Sequence, residues 1–133
     1  MTNTNYKTIA SKIKFEGRAF INGKYVDSID GQKFRTINPA TGEILCEVAK
    51  CNSKDVDLAV KVSREAFDSG VWSRTSPEFR KDILLKFAEL LRKHGIENSV
   101  LECIDTGKLI GDCINEVAND APMHFQWYGE LID

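Results

Sequence analysis

The sequence predicts an α+β fold in which small antiparallel strand pairs come first and helices follow. Two observations lead there. Four short runs rich in β-branched and aromatic residues precede residue 50, and from residue 53 the apolar spacing lengthens from about 2 to about 3.6 residues. Strands and helices do not alternate, so no βαβ unit is expected.

The strands are expected within residues 20 to 48. Phe20-Ile21 and Tyr25-Val26 flank Asn22-Gly23, the residue pair that best tolerates the two positive φ angles of a type I′ turn. Phe34 to Ile37 and Ile44 to Val48 form the second pair. The link between them holds Pro39, which fixes φ, and Gly42, which relaxes it.

Helices are expected near 54–69, 77–94, 97–106 and 112–132. Ser53 caps the first, Val56, Ala59, Val60, Ser63, Ala66 and Phe67 face inward, and Gly70 ends it in a left-handed conformation. Ser76-Pro77 opens the second, with proline where its missing N–H is harmless. Its inner face is Ile83, Phe87, Leu90, Leu91 and His94, and Gly95 is expected to stop it. The third turns Val100, Leu101 and Ile104 inward and ends at Thr106-Gly107. The last carries Ile110, Ile114, Val117, Ala121, Phe125, Tyr128 and Ile132 along one stripe, which Pro122 should kink or divide. That stripe reaches the final residues with no glycine stop or polar tail. The chain therefore reads as an incomplete piece, marginally folded or self-associated through its C-terminal helix.

Composition narrows the function classes. A chain of 133 residues is one domain or part of one, and 42% hydrophobic residues exclude disorder. Eighteen basic and 20 acidic side chains give a net charge of −2, without the basic footprint of a nucleic-acid binder. The charge is uneven: Lys7, Lys12, Lys14 and Arg18 oppose only Glu16, whereas residues 98–133 hold Lys108 against seven acids. Solvated helix faces account for such a pattern. Cys46, Cys51, Cys103 and Cys113 lack the short paired spacings of a zinc or redox motif and read as reduced thiols. With no secretory leader or long apolar run, the expected place is the cytoplasm, away from membranes.

No phosphate loop is present, since Gly107-Lys108-Leu109-Ile110-Gly111 has neither the glycine spacing nor the lysine placement. His94 and His124 have ordinary structural explanations, and Trp72, Trp127 and Tyr128 read as core or interface aromatics. A nucleophile, its base and an oxyanion donor cannot be assembled from these residues. Asp105 stands out: a carboxylate in the last turn of a helix opposes the dipole and needs solvent, a basic partner such as Lys108, backbone N–H groups or a cation.

Several strings in register carry a resemblance. FINGKYVDS, FRTINPATGEILCEVA, DVDLAVKVSREAFDSGVWS, LECIDTGK and FQWYGE, in this order, resemble the N-terminal segment of the aldehyde dehydrogenase superfamily over about residues 15 to 133. The leader NYKTIASKIKFEGRAFINGKY further resembles the members that oxidise γ-glutamyl-γ-aminobutyraldehyde in putrescine breakdown. Leu109, where a proline is common, and Gln126, where an arginine is common, depart from the pattern.

The resemblance implies that residues 1–133 are the N-terminal segment of the cofactor-binding region of an α/β enzyme, with no second domain. The full-length enzyme would oxidise an aldehyde with NAD or NADP as a homo-oligomer. Its catalytic cysteine, glutamate and asparagine would lie beyond residue 133, so no catalytic or cofactor-binding residue is assigned here and the chain alone is expected to be inactive. The resemblance also implies a monovalent cation, potassium or sodium, held by main-chain oxygens of Thr36 and Ile37 and by Asp105, with a further ligand from outside the chain. A catalytically inert fragment acting as a helical association module, and an unrelated α+β binding module, are the competing readings.

Overall fold

The computed structural model describes residues 4–132, which divide into two compact units. One comprises Phe15–Ile37 and Glu43–Thr75; the other comprises the described residues up to Lys14, the turn Asn38–Gly42 and the chain from Ser76 onward. The α+β expectation holds: two separate two-stranded antiparallel sheets precede the long helices.

In the first unit β1 (Ala19–Ile21) pairs with β2 (Lys24–Val26), Phe20 opposite Tyr25. Asn22 at φ 53° and Gly23 at φ 73° form the expected turn with both angles positive. The Phe20 and Tyr25 rings meet edge to face at 5.1 Å, and the Arg18 guanidinium lies 5.6 Å from the Tyr25 ring centre. The second sheet pairs β3 (Lys33–Ile37) with β4 (Ile44–Ala49). Thr36 faces Cys46 and Ile37 faces Ile44, so Leu45 is an extra residue that breaks the ladder between Thr36 and Ile37.

Helix α2 (Ser53–Ser69) differs from expectation in its cap and its rotation. Asn52, not Ser53, is the N-cap, and Asp55 reaches back to the Asn52 N–H to complete a capping box. The other Asp55 oxygen accepts from the Ile29 N–H at 2.9 Å, and the carboxylate is almost wholly buried. That anchor turns the Asp55, Ala59 and Val62 side inward and leaves Val56, Val60 and Phe67, expected inside, exposed. Gly70 ends the helix at φ 75°, as expected.

The second unit holds α1 (Tyr6–Ala10), α3 (Pro77–Lys93), α4 (Gly95–Thr106), α5 (Ile110–Cys113), a π-helical segment (Ile114–Asp120) and α6 (Ala121–Glu130). Helix α1 has no apolar period to announce it; it is started by Asn5, whose side chain accepts from the Thr8 N–H, and it packs on α4. Ser76 caps α3 and Pro77 opens it, as expected. Its covered face is Leu84, Leu85, Ala88 and Leu91, whereas Ile83, Phe87 and Leu90 are partly exposed and His94 lies outside the packed face. Packing by α6 sets this rotation: Gly129 comes so close that a Cβ there would stand 3.2 Å from Leu84 Cβ.

Gly95 does not stop α3. His94, at φ −103°, forms the junction, and Gly95 opens α4. The glycine is needed for approach rather than for φ, since a Cβ on it would lie 2.8 Å from Ala118 Cβ. Helix α4 buries Gly95, Ser99 and Val100 and ends at Gly107, φ 77°, as expected, while Leu101 is partly exposed.

The last expected helix is divided, as Pro122 requires. The Ala121 N–H bonds to Glu116 O, five residues back, in the π-helical segment that precedes the proline. A π turn spends an extra residue, so the inward stripe slips by one position beyond it. Pro122 and Gly129 are buried where Ala121 and Tyr128 were expected, and Tyr128 faces outward, whereas Phe125, partly exposed, meets the Phe87 ring of α3 edge to face at 4.6 Å.

Candidate functional site

The positions implied for a cation fall at two chain termini of elements. Thr36 and Ile37 end β3 in the first unit, Thr36 half-buried and Ile37 exposed, where Leu45 interrupts the ladder. Asp105 is exposed in the last turn of α4 in the second unit.

The turn that follows Ile37 is tightly built. The Ala40 N–H donates to Asn38 Oδ1 at 2.9 Å, the Gly42 N–H donates to Asn38 O at 2.8 Å, and Gly42 takes φ 75°. Within the second unit this turn is seated on the end of α4. Pro39 Cγ stands 2.8 Å from where a Gly107 Cβ would be, two residues past Asp105.

Beyond the α4 terminus the electrostatics centre on Lys108. Its Nζ lies 2.6 Å from Glu116 Oε2 and 3.6 Å from Glu102 Oε1, and the hydrogen bond to Glu116, with its charge, raises the ammonium pKa.

Nucleophilic chemistry has no built centre among the described residues. Cys113 is fully buried, and burial pushes its thiol pKa up, opposite to what a reactive thiolate needs. The Cys103 thiol donates to Lys108 O at 3.2 Å. His94 is half-exposed, 3.8 Å from Glu97, and His124 is exposed. No group of three or more His, Cys, Asp or Glu side chains converges as a metal site among the described residues.

Sequence reading missed three buried polar residues, Ser28, Asp55 and Ser99; the Ser28 hydroxyl donates to Gln32 O at 2.8 Å. Asp55 was legible in Asn52-x-x-Asp55, the spacing of a capping box. Ser99, whose hydroxyl lies 2.7 Å from Gly95 O and 3.2 Å from Cys113 O, carries no such signal.

Two small two-stranded sheets precede a helical unit, an arrangement that known proteins share. The aldehyde dehydrogenase family matches residues 25–133. Aldehyde dehydrogenase 1 of Tanacetum cinerariifolium is 56% identical over 106 residues, 80% of this chain and 21% of that protein. The structure of γ-glutamyl-γ-aminobutyraldehyde dehydrogenase from Burkholderia cenocepacia superposes with a TM-score of 0.92 at 41% identity, covering 96% of this chain and 26% of that one. Indole-3-acetaldehyde dehydrogenase of P. syringae, solved with NAD+ and IAA, superposes at a TM-score of 0.91 and 40% identity, with the same coverage. The chain belongs to the aldehyde dehydrogenase family. It spans about a quarter of the length of the proteins it matches.

Proposed function

We propose that this chain serves NAD- or NADP-dependent oxidation of an aldehyde to a carboxylic acid, as the N-terminal segment of the cofactor-binding region of an aldehyde dehydrogenase. The observation that carries the reading is the near-complete superposition on family structures at 40 to 41% identity. An aminoaldehyde is the proposed substrate class, supported by the name of the Burkholderia cenocepacia relative and by the leader resemblance. The reaction needs a thiolate nucleophile, a base for water and an oxyanion donor, which the family resemblance puts beyond residue 133; the buried Cys113 and the carbonyl-bonded Cys103 are poorly suited to the first role. The proposed place of action is the cytoplasm, in keeping with four free thiols and with the finding that no described helix is long and apolar enough to cross a membrane.

The contribution proposed for this segment is structural. Main-chain oxygens of Thr36 and Ile37 and the Asp105 carboxylate hold a potassium or sodium ion. The oxygen donor chemistry suits a hard cation. In chloride buffers of equal ionic strength, potassium or sodium should raise the melting temperature above that in tetramethylammonium, and Asp105→Asn should abolish the difference. Equal melting in all salts would remove the site.

The enzymatic reading is tested with a chimera in which this chain replaces the first quarter of the Burkholderia cenocepacia enzyme. NAD(P)H formation with an aminoaldehyde is expected from the chimera and not from the 133-residue chain. Turnover by the chain itself, or a folded chimera without activity, would overturn the assignment.

An association module is the second reading, favoured by one observation. Met123, Trp127 and Leu131 form an outward stripe on and just beyond α6, 53 to 61% exposed. Sedimentation at micromolar concentration tests it: a dimer dispersed by Trp127→Glu supports it, and a monomer refutes it.

A further inference from the structure

We propose that Asn22 is a site of spontaneous covalent modification, where the side-chain amide is lost as ammonia through attack by the Gly23 nitrogen and the backbone passes in part to isoaspartate. An asparagine reacts in this way when the next residue offers a free N–H and no side chain to obstruct the approach. Both conditions hold here. The Asn22 carboxamide and the Gly23 N–H have no hydrogen-bond partner among the described residues, both residues are exposed, and a Cβ on Gly23 would meet nothing within 4 Å. Among the described residues Asn22 is also the one non-glycine with positive φ, a conformation that is costly for any side chain. The turn is held by strands of only 3 residues each, in a ribbon that does not join the other sheet. Such a ribbon is marginal and opens locally, which lets the Asn22 side chain rotate onto the Gly23 nitrogen.

No other candidate among the described residues meets both conditions. Asp30-Gly31 is the nearest rival, but Asp30 accepts from the Gln32 N–H at 3.0 Å and from Asn52 Nδ2 at 3.1 Å, while the Gly31 N–H donates to Ser28 O at 2.8 Å. Its electrophile and its nucleophile are both engaged. Asn52 commits its oxygen to the Lys54 N–H and its nitrogen to Asp30, and Asn5 accepts from the Thr8 N–H. Asn38 precedes Pro39, which has no N–H to give. Asn98, Asn115 and Asn119 lie inside helical segments, where the following N–H is bonded along the helix.

The step balances as a gain of water and a loss of ammonia, with nothing oxidised or reduced. The Gly23 nitrogen, giving up its proton, bonds to Asn22 Cγ; the Cγ–Nδ2 bond breaks and Nδ2 leaves with that proton as ammonia. Water then opens the succinimide ring. Cleavage of the new N–Cγ bond gives aspartate, whereas cleavage of the main-chain N–C bond leaves the chain running through Cβ and Cγ as isoaspartate. Aspartate keeps the turn and adds a negative charge at its tip. Isoaspartate lengthens the loop by a methylene, so the register that sets Phe20 opposite Tyr25 is lost.

The test is incubation of the full chain in warm, mildly alkaline native buffer, followed by trypsin digestion and mass spectrometry. The peptide of residues 19–24 should be replaced by two products heavier by the difference between an acid and an amide, before any peptide carrying another asparagine changes. Only one of the two should accept a methyl group from an isoaspartyl methyltransferase. In guanidinium chloride, which removes the hydrogen bonds around Asp30, isoaspartate should appear in the peptide of residues 25–33 as well. Modification at Asp30 or Asn52 ahead of Asn22 in native buffer would overturn the proposal. So would an Asn22 that stays intact in native buffer while it converts in guanidinium chloride, since the folded turn would then protect it.

Discussion

Gly95 and Ala118 are packed so closely that any Cβ on the glycine would stand 2.8 Å from Ala118 Cβ and 3.0 Å from its Cα. This contact brings the first turn of α4 against the π-helical segment. Gly95→Ala gains helix propensity but overpacks a backbone contact, and overpacking costs about 1 to 3 kcal/mol. A lower urea midpoint is expected, with partial recovery when Ala118→Gly is added. An unchanged midpoint in the single variant would show that the two segments separate at no cost.

Gly107 combines a left-handed backbone with a near neighbour. At φ 77° an alanine pays about 1 kcal/mol of strain, and its Cβ would meet Pro39 Cγ at 2.8 Å. Gly107→Ala should therefore destabilise by more than the strain alone, and Pro39→Ala should restore the steric part only. Full restoration by Pro39→Ala would mean that the left-handed cap contributes nothing.

Asp55 joins the start of α2 to the Ile29 backbone by accepting from two N–H groups, those of Ile29 and Asn52, while almost wholly buried. Asp55→Ala leaves both donors without this acceptor, at a cost of about 2 kcal/mol or more. Ser53→Ala, at the position the sequence nominated as cap, should cost little. Reversed sensitivities in thermal melts would contradict the capping geometry.

Glu16 is gripped by Arg18 through bonds of 2.8 and 2.6 Å, and that pairing lowers its carboxyl pKa from 4.5 to about 2. The folded value is depressed, so any stability it contributes is present above pH 4.5 and is lost as pH falls toward 2. Carbon-detected NMR titration should place the Glu16 midpoint well below 4.5, and Arg18→Gln should return it toward the ordinary value. A midpoint unmoved by that substitution would break the assignment.

Legibility varied with the range of the interaction. The Asn22-Gly23 turn, Pro77 at the start of α3 and the left-handed glycines at 70 and 107 were plain in the sequence, because each depends on the φ range or capping chemistry of its own residue. The inward faces of α2 and α3 were not. Both helices carry apolar residues over more than one face, so periodicity admits several rotations, and Asp55 in one and the approach of Gly129 in the other selected among them. Of the site, Thr36 and Ile37 were nominated only through family resemblance and Asp105 also by its place in the last turn of a helix, whereas the Leu45 bulge beside the first two emerged from strand register.

The sequence alone determined the two strand pairs and the long helices that follow them, the left-handed turns, the division at Pro122 and the family, but not α1. These rest on backbone sterics and on strings of residues read in line. Tertiary structure decided which helix faces are covered, that Gly95 serves close approach instead of termination, and that the stripe after the π-helical segment slips by one position. The reason is physical: a local signal fixes φ and ψ, but helix rotation and close approach are settled only when a partner element supplies the volume to be filled.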